Sequence, residues 1–568
     1  MQLLKNWQYS LLLLLGLSVA FVACNNNDTP DPVLSVTAIS PTTAPINGTL
    51  TITGTQFGAT PESNTVTFGG NVMATVLSAS PTQLVVRIPA TAQNGAISVK
   101  TGTQTATSTQ AFQIGARVVE AVSGTISTNT TWTADKIYLL RGYVLVDNNA
   151  TLTIQPGTII KGAARTEDPS GAQRAATLIV RPGAKIEARG TAQAPIVFTS
   201  NQAAGQRKTG DWGGIVLHGK APHNRPASQA IEGDLPGPIG AFNEPNDNSG
   251  SLQYVRIEFP GVAITANNEI NGLTLYGIGS ATTINHIQVS YSGDDSYEWF
   301  GGSVNAKYLV AYRGFDDDWD TDWGFTGKVQ YAVSLRDPNV ADQSSSNGFE
   351  SDNFNNGFVQ TPAANAGLPQ TAPVFANVSN FVFNSTPSTA NTSGGSGPYQ
   401  SAMHLRRNTA ISIFNSLFVG YPEGLRLDSE TSVTYASTLD NATAERMQLR
   451  GIVLANTRVT SVTTAIPVRG AGRITNAEAQ AFFNTTAFGN QIVELTDIAS
   501  LLLNAQSFNL TGTPNFLPQA GSPLLQGGVR TGKITDPFFD NVTFRGAFGT
   551  TNWTLGWTNW DPVNTPYN

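Results

Sequence analysis

Cysteine is all but missing from this chain: 568 residues contain one, Cys24, so neither an intramolecular disulfide nor a cysteine-based zinc site can form. Histidine is scarce as well. His218, His223, His286 and His404 are scattered, and none has a metal-binding spacing such as H-E-x-x-H. Only 12% of residues are charged, the formal net charge is -7, and no block of lysine or arginine occurs, which excludes nucleic acid as a partner. No apolar run is long enough to span a bilayer. The run Leu11 to Ala23, behind Lys5, has the length of a secretory h-region.

What the chain has in quantity is glycine (55) and proline (31), with abundant threonine, serine and asparagine, the composition of an extracellular β-protein. The h-region ends in Phe21-Val22-Ala23-Cys24, which resembles the lipobox of bacterial lipoproteins. That resemblance implies a signal peptide over 1–23, lipid attachment at Cys24, and a place in the outer membrane facing outward. Residues 24–32, polar and rich in Asn, Asp and Pro, then read as a tether.

From 33 to 114, short alternating strands such as Leu50-Thr51-Ile52-Thr53 and Leu84-Val85-Val86-Arg87-Ile88 are punctuated by Gly and Pro, which predicts an antiparallel sandwich. The stretches Ile39-Ser40-Pro41, Gly48 to Gly58, Val66-Thr67-Phe68-Gly69-Gly70 and Ser80-Pro81-Thr82-Gln83-Leu84 resemble an IPT/TIG domain. The resemblance implies an immunoglobulin-like spacer or interaction module and no catalysis.

After Ala116 repeats begin. Leu152 to Ile160 is echoed by Leu178 to Ile186, each turning at Pro-Gly. A strand motif then recurs at His286 to Val289, Tyr308 to Ala311, Tyr331 to Ser334, Asn380 to Phe383 and Ser416 to Val419. A period in the low twenties with a strand in every copy and little helix is the pattern of a solenoid whose rungs cannot bury their apolar face alone. Aligning Phe325, Phe349, Met403 and Leu425 gives an apolar column, followed three residues later by Lys328, Asp352, Arg406 and Asp428 with alternating charge. The expected fold is all-β: an Ig-like sandwich, a right-handed parallel β-helix over 117–440, and terminal rungs with a cap over 441–568. In the cap, Asn476 to Phe483 and Asp497 to Asn504 read as short helices capped by Asn or Asp. Phe516 to Gly528 and Phe544 to Phe548 resemble the closing segment of bacterial right-handed β-helix proteins. The Pro/Asn/Gly-rich excursion from Ala221 to Ser251 is expected to project from the stack.

The chemistry concentrates in two acidic knots at the same turn of consecutive rungs, Asp294, Asp295 and Glu298, then Asp316, Asp317, Asp318, Asp320 and Asp322. Eight carboxylates so close either hold protons or bind a cation, and an oxygen-only donor set favours calcium. The alternative reading is that these turns are Asx-rich corners whose side chains cap the backbone and face water. Asp294-Asp295 resembles the paired aspartates of β-helix glycosidases, which would make the two an acid and base, although that family's Gly-His-Gly is missing here. Trp299, Trp319 and Trp323 are candidates to stack on sugar rings. Arg313 and Arg336 are candidates to receive an acidic sugar or to join a charge ladder, and His404 belongs to such a ladder with Glu350 and Arg426. The expected function is binding of an extracellular polysaccharide or another surface protein, with a polysaccharide lyase or glycoside hydrolase as the alternative.

Overall fold

The computed structural model describes residues 33–265, 268–353, 367–387, 397–431, 437–457 and 467–567. The expected signal peptide, Cys24 and the expected tether lie outside them, as do most of two further stretches, 357–372 and 385–400, whose Thr, Ala, Asn, Ser and Gly content also predicts excursions from the stack. The chain divides between Arg117 and Val118 into two compact units.

In the first unit, eight strands form one wrapped sheet. Strand Thr49–Thr55 pairs antiparallel with both Ser35–Ser40 and Gln83–Arg87. Strict alternation explains its placement, since Leu50 and Ile52 are sealed inside while Thr49, Thr53 and Thr55 face water. Val66, Phe68, Val86, Val99 and Phe112 complete the core. This is a mostly β, Ig-like module, as the alternation predicts.

The second unit is a parallel β-helix: 26 strands among the described residues form one continuous sheet. A rung has three segments, and the chain shows them clearly from Thr283–Ser290, which bends at His286, to Tyr297–Phe300. The next rungs are Asn305–Tyr312 with Trp319–Asp322, then Lys328–Leu335 with Phe349–Ser351, then Val374–Phe381 with Ser401–Leu405. One residue per rung sits in the left-handed region at the bend between the first two segments: Tyr254, His286, Tyr308, Tyr331, Asn377 and Asn415, with φ between 49° and 64°. Asparagine tolerates this conformation. The bulkier rings are held in it by stacking, with centroids 4.2 Å apart for Tyr254 and His286, 4.3 Å for His286 and Tyr308, and 5.1 Å for Tyr308 and Tyr331.

That bend corrects the register of the later repeats. Ala332 pairs with Val378, so Asn380 stands beside Ser334 and Leu417 beside Ser379. The aligned bend residues are Asn377 and Asn415, and the motifs at Asn380 and Ser416 are displaced from the true copies. These strands are buried on both sides, so their apolar runs lack the alternation that would fix register from sequence. The inner column is likewise Trp319, Phe349, Met403 and Leu425, preceded by Tyr297. Phe325 lies in the turn after its strand, and Lys328 opens the next rung. Asp322 takes the place predicted for Lys328, and the charge alternates only from Asp352 to Arg406 to Asp428.

The excursion after His218 packs down instead of projecting. Its Ile231, Leu235 and Ile239, with Ile270, cover Ile179, Val216, Tyr276 and Phe300 on the outer side of the third segment, where apolar residues would otherwise face water.

Helix Asn476–Phe483 closes the far end of the stack, burying Ala479 and Phe483 against its core. Its cap is Thr475, in a capping box with Glu478, and Asn476 is the first helical residue. Leu495–Leu501 is a 3-10 turn with no side-chain cap, and a further helix, Thr438–Thr443, is capped by Ser437. The segment beyond 501 returns along the outside of the stack as a strap. Val529 meets Asn415, Asp540 meets Gln330, Asn559 meets Gln288, and Tyr567 reaches Glu258 at 2.7 Å. Phe516, Phe548, Trp557 and Trp560 bury against Val310, Val333, Phe381 and Val419. Among the described residues no helix is long and apolar enough to cross a membrane.

Candidate functional site

The third segments stack in register, and their outward residues form a column: Thr274, Glu298, Asp320, Glu350, His404, Arg426 and Arg469. Neighbouring members are about 4.8 Å apart, so acid occupies one half of the column and base the other. The corners that precede these strands bring in Asp294, Asp295, Asp316 and Asp317.

The corners are partly Asx turns. Asp295 accepts from the Asp317 backbone N–H at 2.8 Å, Asp317 accepts from the Asn347 N–H, and Asn347 Oδ1 accepts from the Ser401 N–H at 3.0 Å. One carboxylate oxygen of Asp295 and one of Asp317 thus hold successive rungs together.

The remaining oxygens converge. Three groups of carboxylates each place one oxygen apiece within 4.8 Å of the others: Asp294, Asp295 and Asp316; Asp295, Glu298 and Asp320; Asp317, Asp320 and Glu350. A cation with oxygen ligands at roughly 2.3–2.6 Å fits such a spacing. Asp294, Asp316, Asp320 and Glu350 are deeply set yet keep some contact with solvent. Burial raises the proton affinity of Asp294, Asp295, Glu298, Asp317 and Asp320, and neighbouring carboxylates push the same way. Asp316 is pushed up to about 7 by burial and by Asp342. Glu350 goes the other way: burial would raise it, but the charge of Arg406 and the bond to His404 hold it at about 2.

Two of the eight predicted acids do not belong to the cluster. Asp318 is sealed from solvent and paired with Arg336 at 3.3 Å, and Asp322 pairs with Arg225 at 3.3 Å. Each already has a guanidinium, so neither is left for a metal. Burial lifts them to about 6 and about 7 against the pull of those arginines.

The aromatic candidates move as well. Trp299 and Trp319 are 0% exposed and stack inside the solenoid on Phe325 and Tyr297, so no sugar can reach them. Trp323 is buried under the excursion with Arg225 over its ring. Arg336 is wholly buried, donating to the Asn347, Gly314 and Phe315 carbonyls. Arg313 aligns with it, bonds Asp337 at 2.5 Å and lies over Tyr291.

Residues that the sequence pattern did not single out for the cluster are Glu350, Glu232, Glu269, Asp342 and Asn271. Glu232 and Glu269 come from the excursion and the hairpin Val262–Thr265/Asn268–Ile270, and raise the proton affinity of Asp294. Burial and Asp322 lift Glu232 itself to about 8. Only the fold brings such loop acids to the rung face. Glu350 carried a signal, its place in line with His404 and Arg426.

Residues 124–495 match the model of the pectate-lyase like beta helix domain, more than half of the chain. The chain belongs to the pectate-lyase-like β-helix family. Within this family member, residues 34–114 also match the IPT/TIG domain model. No curated protein matches the sequence. Among solved structures, the pectate-lyase-like chain is similar to an auxiliary nutrient binding protein from Bacteroides thetaiotaomicron at 21% identity, covering 15% of this chain and 22% of that one, TM-score 0.15. It is similar to an auxiliary nutrient binding protein from Bacteroides ovatus at 20% identity, covering 16% and 22%, TM-score 0.15. The matched stretch thus spans about a fifth of those chains.

Proposed function

We propose that this protein is a lipid-anchored outer-membrane surface protein whose β-helix binds an extracellular glycan along the outer side of its third segments. The IPT/TIG module would serve as spacer or interaction domain, and Cys24 as the anchor. The supporting observation is the in-register column from Glu298 to Arg469, a linear array of polar groups at the rung spacing suited to a long, hydroxyl-rich polymer. Calcium suits the acidic half. The donors are all oxygens, and Oδ1 of Asp316 and Oδ1 of Asp320 are shut off from solvent without a hydrogen-bond donor. Asp294, Asp295, Glu298, Asp316 and Asp320 would hold the ion. The basic half, Arg426 and Arg469, would take acidic or hydroxyl groups of the polymer.

The test is affinity electrophoresis of the purified ectodomain through acidic and neutral polysaccharides, with calcium and with chelator. Calcium-dependent retardation without product is expected. New reducing ends or unsaturated uronide, lost in Asp294→Ala or Asp295→Ala, would replace this reading by a lyase or hydrolase using those two carboxyls. That alternative draws on the raised proton affinity of both groups.

A further inference from the structure

We propose that the acidic corner takes two divalent cations, joined through Asp295, while the guanidinium of Arg406 fills the third place along the stack. This rests on the cation reading above and fixes its stoichiometry.

The three carboxylate groups overlap in order along the stack. The first and second share Asp295, and the second and third share Asp320. Their surroundings differ. In the third, Glu350 bonds Arg406 Nη2 and lies 3.6 Å from His404, while Asp317 accepts from Asn347. Arg406 is also bonded at 2.8 Å to Asp352. A fixed cation is thus already in place there, built into the chain.

The first two groups have none. Asp294, Asp295, Asp316, Glu298 and Asp320 form no ion pair among the described residues, so five carboxylates crowd into about one rung spacing. One divalent ion would leave three charges uncompensated in a deep site, whereas two leave one. Two ions on adjacent rungs would stand about 4.8 Å apart, a separation that the Asp295 carboxylate bridges with one oxygen on each ion, the oxygen that accepts from the Asp317 N–H keeping a second lone pair for the metal.

A second kind of group points to the same place. Asn271, 1% exposed, donates its amide to Glu298, and its Oδ1 has no hydrogen-bond partner. A buried amide oxygen left without a donor beside a carboxylate is a suitable ligand for a hard cation. The unpartnered Oδ1 atoms of Asp316 and Asp320 lie one in the first group and one in the second, so each proposed ion has an otherwise idle donor.

The test is calcium stoichiometry of the full-length chain by equilibrium dialysis with elemental analysis. Two ions per chain are expected. Asp316→Asn and Glu298→Gln should each leave one, and Asp295→Asn should weaken both. Arg406→Gln should admit a third. If the Asp295 variant does not fold, the Asp316 and Glu298 single and double variants still decide the count. Europium luminescence quenched by neodymium in the wild type gives an independent reading of two neighbouring ions. One calcium per chain, or complete loss in both single variants, would overturn the paired site and leave the cation reading standing. No calcium bound at millimolar concentration would overturn both.

Discussion

Asp318 and Arg336 face each other at 3.3 Å with neither side chain in appreciable contact with water. Tyr421 OH and Asn380 Nδ2 complete the carboxylate, at 3.4 and 3.3 Å. Breaking such a pair leaves one charge buried and alone, which costs about 3–5 kcal/mol. Arg336→Met is therefore expected to lower unfolding free energy by that order in urea melts. The double variant Asp318→Asn/Arg336→Met should recover a good part of the loss. Near-wild-type stability of the single variant would show that the pair is not buried in solution.

The acidic corner should make stability fall as pH rises when no cation is present. Asp316 titrates near 7 in the folded chain and near 3.9 when unfolded. Between those values the native state holds more protons than the unfolded state, so the contribution is full below about 4 and lost through about 7. With chelator, the melting temperature should drop between pH 5 and 8. With millimolar calcium the drop should shrink or reverse, because the ion competes with protons for the same oxygens. Identical pH profiles in both buffers would remove calcium from the site.

At about 100 times its Kd, calcium should add about 2.7 kcal/mol per independent site. Asp316→Asn combined with Asp320→Asn should abolish most of that gain while lessening repulsion in chelator. Calorimetry with and without the ion reads both effects.

Trp319 and Arg469 separate packing from recognition. Trp319→Ala should cost about 3–5 kcal/mol and leave glycan retention of the folded fraction unchanged. Arg469, 48% exposed in its side chain and paired with Glu423 at 2.8 Å, should tolerate alanine within about 0.5 kcal/mol yet weaken retardation by polysaccharide. The opposite pattern would move the binding face away from the third segments.

Cys24→Ser should abolish lipid modification and leave the chain outside the outer-membrane fraction. Membrane fractionation with metabolic acyl labelling checks this.

The solenoid was legible in the sequence because its rungs repeat turn chemistry, and the sandwich because Leu50 and Ile52 alternate with threonines. Register was not legible past Tyr331, where Val374–Phe381 is buried throughout and the bend passes from tyrosine to Asn377. The acidic corner showed itself as carboxylate density. Its division among Asp318, Asp322 and the rest did not, because Arg336 lies 18 residues beyond one and Arg225 lies 97 before the other. The tryptophans misled for a related reason: an Asp-Trp alternation reads as a wet surface, yet period two turns every second residue inward, and Trp319 goes in while Asp320 stays out.

The strap changes how the stack should come apart. A bare solenoid behaves as a one-dimensional array in which disorder enters at an end and travels rung by rung. Here Asn559, Asp540 and Val529 grip rungs far apart in the stack, and Arg207 near the opening rungs clasps the carbonyls of Pro562 and Thr565 at 2.7 Å. Peeling the final segment loosens many rungs together, so end-fraying is tied to a single long-range event, and the β-helix should melt as one cooperative body with a denaturant slope set by its whole surface. Trimming the chain after Val493 would return it to piecemeal unzipping.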